Sequence, residues 1–300
     1  MSKVYVVTDS AAAIDSAVVE QLNITVVPLT VRITARTQDP DEAAVHEYQD
    51  GTDLDHEGLL LRMTHERIQP SIIGPTAEEF RQVYNRLTQR TDQIISVHSS
   101  ASLSLVHREA QAAAGEFLGR CDIVVIDSET LSLGLGILAQ EAAQLAQQSI
   151  PLNEIMRQIR GIIRRIYIVL ITDTLDYLEY SHLVSPAQAI LGTMLGIKPF
   201  LAIEEGQIIP MEKVRTHDRA IDKLVEFASE FSDIEQMAIL QSTSYPTEET
   251  KMLQERLALV APGKEYPIML YGPLLASHIG PDGMGVVVYE GPGADKDLYF

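Results

Sequence analysis

Residues 93–146 read QIISVHSSASLSLVHREAQAAAGEFLGRCDIVVIDSETLSLGLGILAQEAAQLA, and the alternation inside them decides the fold class. Two short β-branched runs, Gln93–Val97 and Ile123–Ile126, each end in a loop that carries serine. Each is followed by apolar residues at helical spacing, over Leu105–Leu118 and Leu133–Ala146. Apolar strands separated by helices imply βα units and a mostly parallel sheet covered on both faces. Upstream the pattern repeats, with a strand at Val4–Thr8, a helix at Ile14–Leu22, and a strand at Ile24–Ile33 broken by Pro28. An amphipathic helix is predicted over Ala77–Leu87, and the acidic stretch 37–56 reads as an irregular surface excursion.

Downstream, Pro151 suits the first turn of a helix over Leu152–Ile163. Strand-like runs follow at Ile166–Ile171, Pro199–Ile203, Gln207–Pro210, Met237–Leu240, Ile268–Tyr271 and Val286–Tyr289. Glu204-Glu205-Gly206 lies between two of them as a hairpin turn. Helices fit Ala187–Leu195, Arg219–Phe231 and Thr247–Leu257. The fold class expected is α/β with two α/β domains. Residues 1–150 should carry the mostly parallel sheet and residues 151–300 a more antiparallel one. Three hundred residues are enough for each to bury its own core.

The chain is 46% apolar and 22% charged, the balance of a globular protein. Its net charge of −19 argues against nucleic acid, which needs clustered Lys and Arg, and against a basic membrane-binding patch. No apolar run approaches the roughly 20 residues of a membrane span. Met1-Ser-Lys leads straight into a strand without a signal segment, so a cytoplasmic protein is expected. Cys121 is the sole cysteine; no internal disulfide or multi-cysteine metal site follows, and it reads as a buried or half-buried structural residue.

Gly134-Leu-Gly136 begins a run that matches a dinucleotide fingerprint, but residues 128–133 separate it from the strand. Tight packing of a helix start explains these glycines better, and no nicotinamide, flavin or other cofactor is expected. The histidines are scattered, with His98 and His107 the nearest notable pair, and no metal site is expected. No Gly-x-Ser-x-Gly elbow presents a nucleophilic serine.

The distinctive residues fall after strands, where an open α/β sheet builds its ligand crevice. They are Thr8-Asp9-Ser10, Val26-Val27-Pro28-Leu29, Ser99-Ser100-Ala101-Ser102-Leu103-Ser104 and Asp127-Ser128. A serine-rich loop before a helix suits a carboxylate or phosphate, and equally suits simple helix capping, which could be all that Ser99 and Ser102 do. Asp9 and Asp127 resemble paired acid–base carboxylates, yet their Asp-Ser setting fits turn or cap residues.

In order along the chain, these segments are joined by Tyr48-Gln-Asp-Gly-Thr-Asp53, Ser132-Leu-Gly-Leu-Gly136, Asp173-Thr-Leu-Asp-Tyr-Leu178 and Ile197-Lys198-Pro199. Lys213-Val-Arg215-Thr and His278-Ile-Gly-Pro281 complete the series, and together they resemble the DegV family over nearly the whole chain. The resemblance implies two α/β domains with a long-chain fatty acid or similar lipid between them and no turnover by the protein itself. It also implies, for some members, presentation of the acid to a fatty-acid kinase. An apolar tunnel would take the tail, each methylene contributing about 0.8 kcal/mol on burial, while polar groups fix the head.

This sequence departs from the family pattern at the head. Ile72-Ile73-Gly74-Pro75 stands where the family has Thr-Ser before Gln-Pro, and Leu103-Ser104-Leu105-Val106 where it has Leu-Ser-Gly-Thr. Ser181-His182-Leu183 replaces a Gly-Gly-Arg segment linked to kinase partnering. The ligand-binding residues carried over are therefore Ser100, Ser104, His278, Gly280, Ile72, Ile73 and Arg215. The ligand this resemblance implies is a fatty acid oriented by Ser100, Ser104 and His278, or else a lipid with a less charged head. An acyl hydrolase or phosphotransfer enzyme using Ser104 and His278 is the rival from another class, and a scaffold with a closed cavity the third reading.

Overall fold

A computed structural model of the chain describes residues 3–34, 45–260 and 262–293. The chain opens with β1 (Tyr5–Asp9), a single 3-10 turn at Ser10–Ala12, α1 (Ser16–Leu22) and β2 (Ile24–Val27). Next come β3 (Thr30–Thr34), β4 (Val45–Gln49), α2 (His56–Glu66), β5 (Ser71–Ile73) and α3 (Ala77–Leu87). β6 (Gln93–His98), α4 (Val106–Gly115), β7 (Asp122–Asp127) and α5 (Leu133–Gln147) follow. The four parallel strands lie in the order β2-β1-β6-β7, the βα sheet that the strand–helix alternation predicts.

Pro28 does more than interrupt a strand. It sends the chain from β2 into β3, which pairs antiparallel with β4 and β5 in a separate three-stranded sheet. The expectation of an irregular excursion over 37–56 is corrected here for residues 45–56. Val45–Gln49 is a strand and α2 begins at His56, while residues 37–44 lie outside the described ones. The strand escapes a periodicity reading because His46 and Glu47 are exposed and polar and Val45 is exposed too, as suits an edge strand.

Beyond α6 (Leu152–Ile163) come β8 (Ile166–Ile171), α7 (Asp176–Tyr180), α8 (Pro186–Met194), β9 (Lys198–Glu204) and β10 (Gln207–Val214). Then follow α9 (His217–Ala228), β11 (Ile234–Gln241), α10 (Glu248–Val260), β12 (Ile268–Leu270), α11 (Pro273–Ile279) and β13 (Met284–Glu290). These strands form a six-stranded sheet in the order β10-β9-β8-β13-β11-β12. Every pair is antiparallel except β11 with β12. The β9–β10 hairpin turns on Glu205 and Gly206, both at positive φ (47° and 78°), the backbone that a two-residue hairpin requires.

α5 joins the two halves. It is buried on most of its circumference, from Leu133 to Ala146, unlike a surface helix with one apolar stripe. It packs on β1, β2 and β6 of the first sheet and on β8 and β13 of the second. Its two early glycines are the fingerprint-like pair. A Cβ at Gly136 would lie 2.5 Å from the Ala12 carbonyl oxygen, and one at Gly134 would meet Thr130 and Ile168. Close packing accounts for both.

Candidate functional site

The C-terminal ends of β1, β6 and β7 hold a network of buried polar groups. Asp9, fully buried, accepts from the Ala11 and Ser99 amides at 3.1 and 2.9 Å. Its Oδ2 also lies 3.0 Å from Nδ1 of His98. His98 Nε2 is 2.7 Å from the Ser96 hydroxyl, which accepts from Tyr84 at 2.9 Å. All four side chains are buried beside Phe80 and Phe117, and Asp9 also borders the cleft described below. Asp127 accepts from the Glu129 and Ala101 amides. Both carboxylates hold turns, as their setting predicts.

The serine loop is occupied by its own contacts. Ser100 donates to the Gly206 carbonyl at 2.7 Å, keying the β9–β10 hairpin of the second half onto the first. Its hydroxyl also accepts from the Ser102 amide, and only glycine fits at 206 against it. Ser104 Oγ lies 2.9 Å from Ser99 Oγ and is half-buried.

His278 stands in the last turn of α11, a helix that packs on β5, α2, α7 and the 3-10 turn after β1. β5 carries Ile72 and Ile73, so the structure brings three of the sequence-selected residues onto adjoining elements. Gly74 next to them is crowded by Val106, whose Cγ2 would be 3.0 Å from a Cβ there. The Nδ1 atom of His278 is buried and has no hydrogen-bond partner among the described residues. Burial pushes its pKa down to about 4, which leaves a neutral imidazole at ordinary pH.

Gly280, just past the helix, has φ +87°, and a Cβ would come within 2.6 Å of the Tyr177 ring. Tyr271, fully buried, donates to the Gly280 carbonyl at 2.9 Å and accepts from the Gly283 amide at 3.1 Å, pinning the turn. Tyr177 donates to the Ile68 carbonyl at 3.0 Å, tying α7 to the first half. Asp282 in the same turn is pushed up to about 6 by burial and then by the nearby Asp173 charge.

Where the halves meet, a cleft of about 530 Å³ is lined by apolar residues that include Ala12, Ile14, Val26, Pro28, Ile268 and Leu270. Its polar end is Ser10, Asp50 and His56. Ser10 donates to Asp50 at 2.6 Å, and His56 Nε2 lies 2.6 Å from the other carboxylate oxygen. The His56 ring also abuts Gly272 at the start of α11. None of the seven sequence-selected residues lines this cleft. Asp50 and His56 went unselected as site residues, although Thr8-Asp9-Ser10, Val26–Leu29 and the Tyr48–Asp53 segment all point at its walls.

Arg215 is exposed in the link between β10 and α9 and has no ion-pair partner among the described residues, so the structure does not bring it to the others. Ser104 and His278 share no hydrogen bond: Ser104 is engaged with Ser99, and Nδ1 of His278 is unpartnered. A nucleophile needs its base within about 2.6–3.2 Å, so the hydrolase arrangement of these two residues is not formed. His182 in the segment 181–183 adopts φ +60°, a left-handed conformation that glycine would favour. Cys121 is buried, and burial, with Asp92 and Asp122 nearby, pushes its thiol up to about 11. No described helix is long and apolar enough to cross a membrane.

Comparison with known proteins places this geometry. The family model described as "Uncharacterised protein, DegV family" matches residues 3–291. A DegV domain-containing protein of Streptomyces coelicolor is 31% identical over 291 residues, covering 95% of this chain and 98% of the relative. The crystal structure of DegV from Bacillus subtilis, described as a fatty acid binding protein, superposes with a TM-score of 0.79 at 26% identity. It covers 97% of this chain and all of the other. A structure described as fatty acid binding of a DegV family protein from Thermus thermophilus gives 0.79 at 25% identity, over 96% of this chain and all of the other. With a match spanning all three sheets and the cleft where the halves meet, the chain belongs to the DegV family.

Proposed function

We propose that the chain binds a single long-chain acyl lipid, a fatty acid or related molecule, where its two halves meet, and catalyses no reaction on it. The observation that carries the reading is the match, over nearly the whole chain, to two structures described as fatty-acid-binding. The apolar junction cleft of about 530 Å³ supports it, since small-molecule sites run from about 300 to 1,000 Å³. In this reading residues 1–150 and 151–300 act as two domains. The tail lies in the apolar space between them and the head meets His278. α11, about 10 Å long, runs from the cleft at Gly272 to His278, a span that an extended acyl chain bridges.

Ile72 and Ile73 flank the head, Gly280 shapes the turn beside it, and Ser104 is a candidate hydroxyl. Ser100 contributes by holding the halves in register, and Arg215 acts from the rim. Presentation to a fatty-acid kinase belongs to the same reading, weakened at Ser181-His182-Leu183, where no arginine stands. A cytoplasmic setting fits a binding protein of this kind.

Paired native and denaturing mass spectrometry of the purified protein tests the reading. A lipid-sized mass present gently and lost on denaturation is the expected result. An apo mass that takes up no C16 acid, alcohol or amide would overturn it.

A further inference from the structure

The head-group end contains a buried donor or acceptor with nothing to bind. Nδ1 of His278 is sealed and unpartnered, although buried polar atoms are ordinarily satisfied. The strand packed on its helix, β5, carries alkyl groups at Ile72 and Ile73, and Val106 lies against the adjoining Gly74. Among the described residues few cations sit on the elements packed against α11, and the exposed Arg67, just past α2, faces a pocket with Pro281 and Asp282. The 3-10 turn and β5 carry none; on α2, Arg62 pairs with Glu66, His56 with Asp50, and His65 is exposed. α7 adds only Asp176 and Glu179. Past the helix, Asp282 is acidic and Lys198 is bound to Asp173.

A neutral imidazole nitrogen offers one N–H or one lone pair. That suffices for a hydroxyl or a carbonyl oxygen. It does not suffice for a buried carboxylate, which needs several donors or a cation to offset its lost hydration. We propose that the site on His278 takes an uncharged single-chain lipid, with a hydroxyl, amide or ester head, in preference to an ionised fatty acid. The proposal rests on the lipid-binding reading above and deepens it. Burial that keeps the ring neutral acts in the same direction.

The test is displacement of a bound fluorescent acyl probe at pH 7.5 by hexadecanol, palmitamide and palmitate, each delivered on cyclodextrin. The alcohol or amide should displace at concentrations at least about ten-fold below palmitate, the factor that 1.4 kcal/mol of differential binding gives. Palmitate binding as tightly as both would overturn the proposal while leaving lipid binding intact. Failure of all three to bind would remove the lipid reading itself. In His278→Leu, checked for its fold by circular dichroism, the preference for alcohol and amide should fall to near unity. A preference that persists there would place the head group elsewhere and overturn the assignment to His278.

Discussion

His278 in the last turn of α11 and Asp282 just past it should give the protein opposing pH dependences that single substitutions separate. His278 titrates at about 4 in the fold against 6.5 in the unfolded chain. The unfolded state therefore binds the proton first. The contribution is fully present above pH 6.5 and is lost as pH falls toward 4. At 1.36 kcal/mol per pH unit, the shift corresponds to about 3 kcal/mol. Asp282 behaves in the opposite sense, titrating at about 6 against 3.8. Its contribution is present below 3.8 and is lost as pH rises through 6, but the residue is exposed and solvent screening makes this the smaller of the two.

The wild-type profile should therefore keep the sign of the His278 slope between pH 4 and 6.5, reduced in part by Asp282. Asp282→Asn keeps the size and the Thr172 contact but removes the opposing titration, so its stability should fall on acidification relative to wild type. His278→Gln should do the reverse. Urea unfolding at pH 7, 6, 5 and 4 measures this, and subtracting the wild-type curve cancels the other carboxylates. Difference profiles that stay flat for both variants would refute the burial argument for both groups.

Other substitutions report on the same framework. Gly280→Ala must place a side chain at φ +87° and against Tyr177, and should cost about 1–3 kcal/mol, read as a lowered melting temperature. Asp50→Ala removes the acceptor shared by Ser10 and His56 and should cost about 1–3 kcal/mol, with faster amide exchange in residues 50–54.

Much of the fold was legible because its helices and strands obey simple periodicities. Ala77–Leu87 and Leu152–Ile163 emerged with their observed bounds, the first fixed by a Thr76–Glu79 capping box. What stayed hidden was short or ambiguous. β5 has three residues, and α11, which carries His278, begins with Pro273 inside an apolar run that reads as readily as a strand. The site suffered for the same reason. His278 and Gly280 could be selected only through the family pattern, because the helix that presents them was not foreseen. Nor could spacing reveal that Ser100 would be engaged with Gly206, a contact 106 residues away. Asp50 and His56 lay in a quoted segment or at its border, but their pairing depends on how the chain turns after β4.

The contact between Ser100 and Gly206 bears on how this chain tolerates change. Hairpin tips are ordinarily where a protein accepts added residues, cleavage sites or fused tags. Here the tip is a key seated in the opposite half, with no room even for a methyl group. Lengthening the loop at 205–206 would therefore act at a distance, shifting the second sheet against α5 and reshaping the space between the halves. An epitope inserted elsewhere on the surface would have no such leverage.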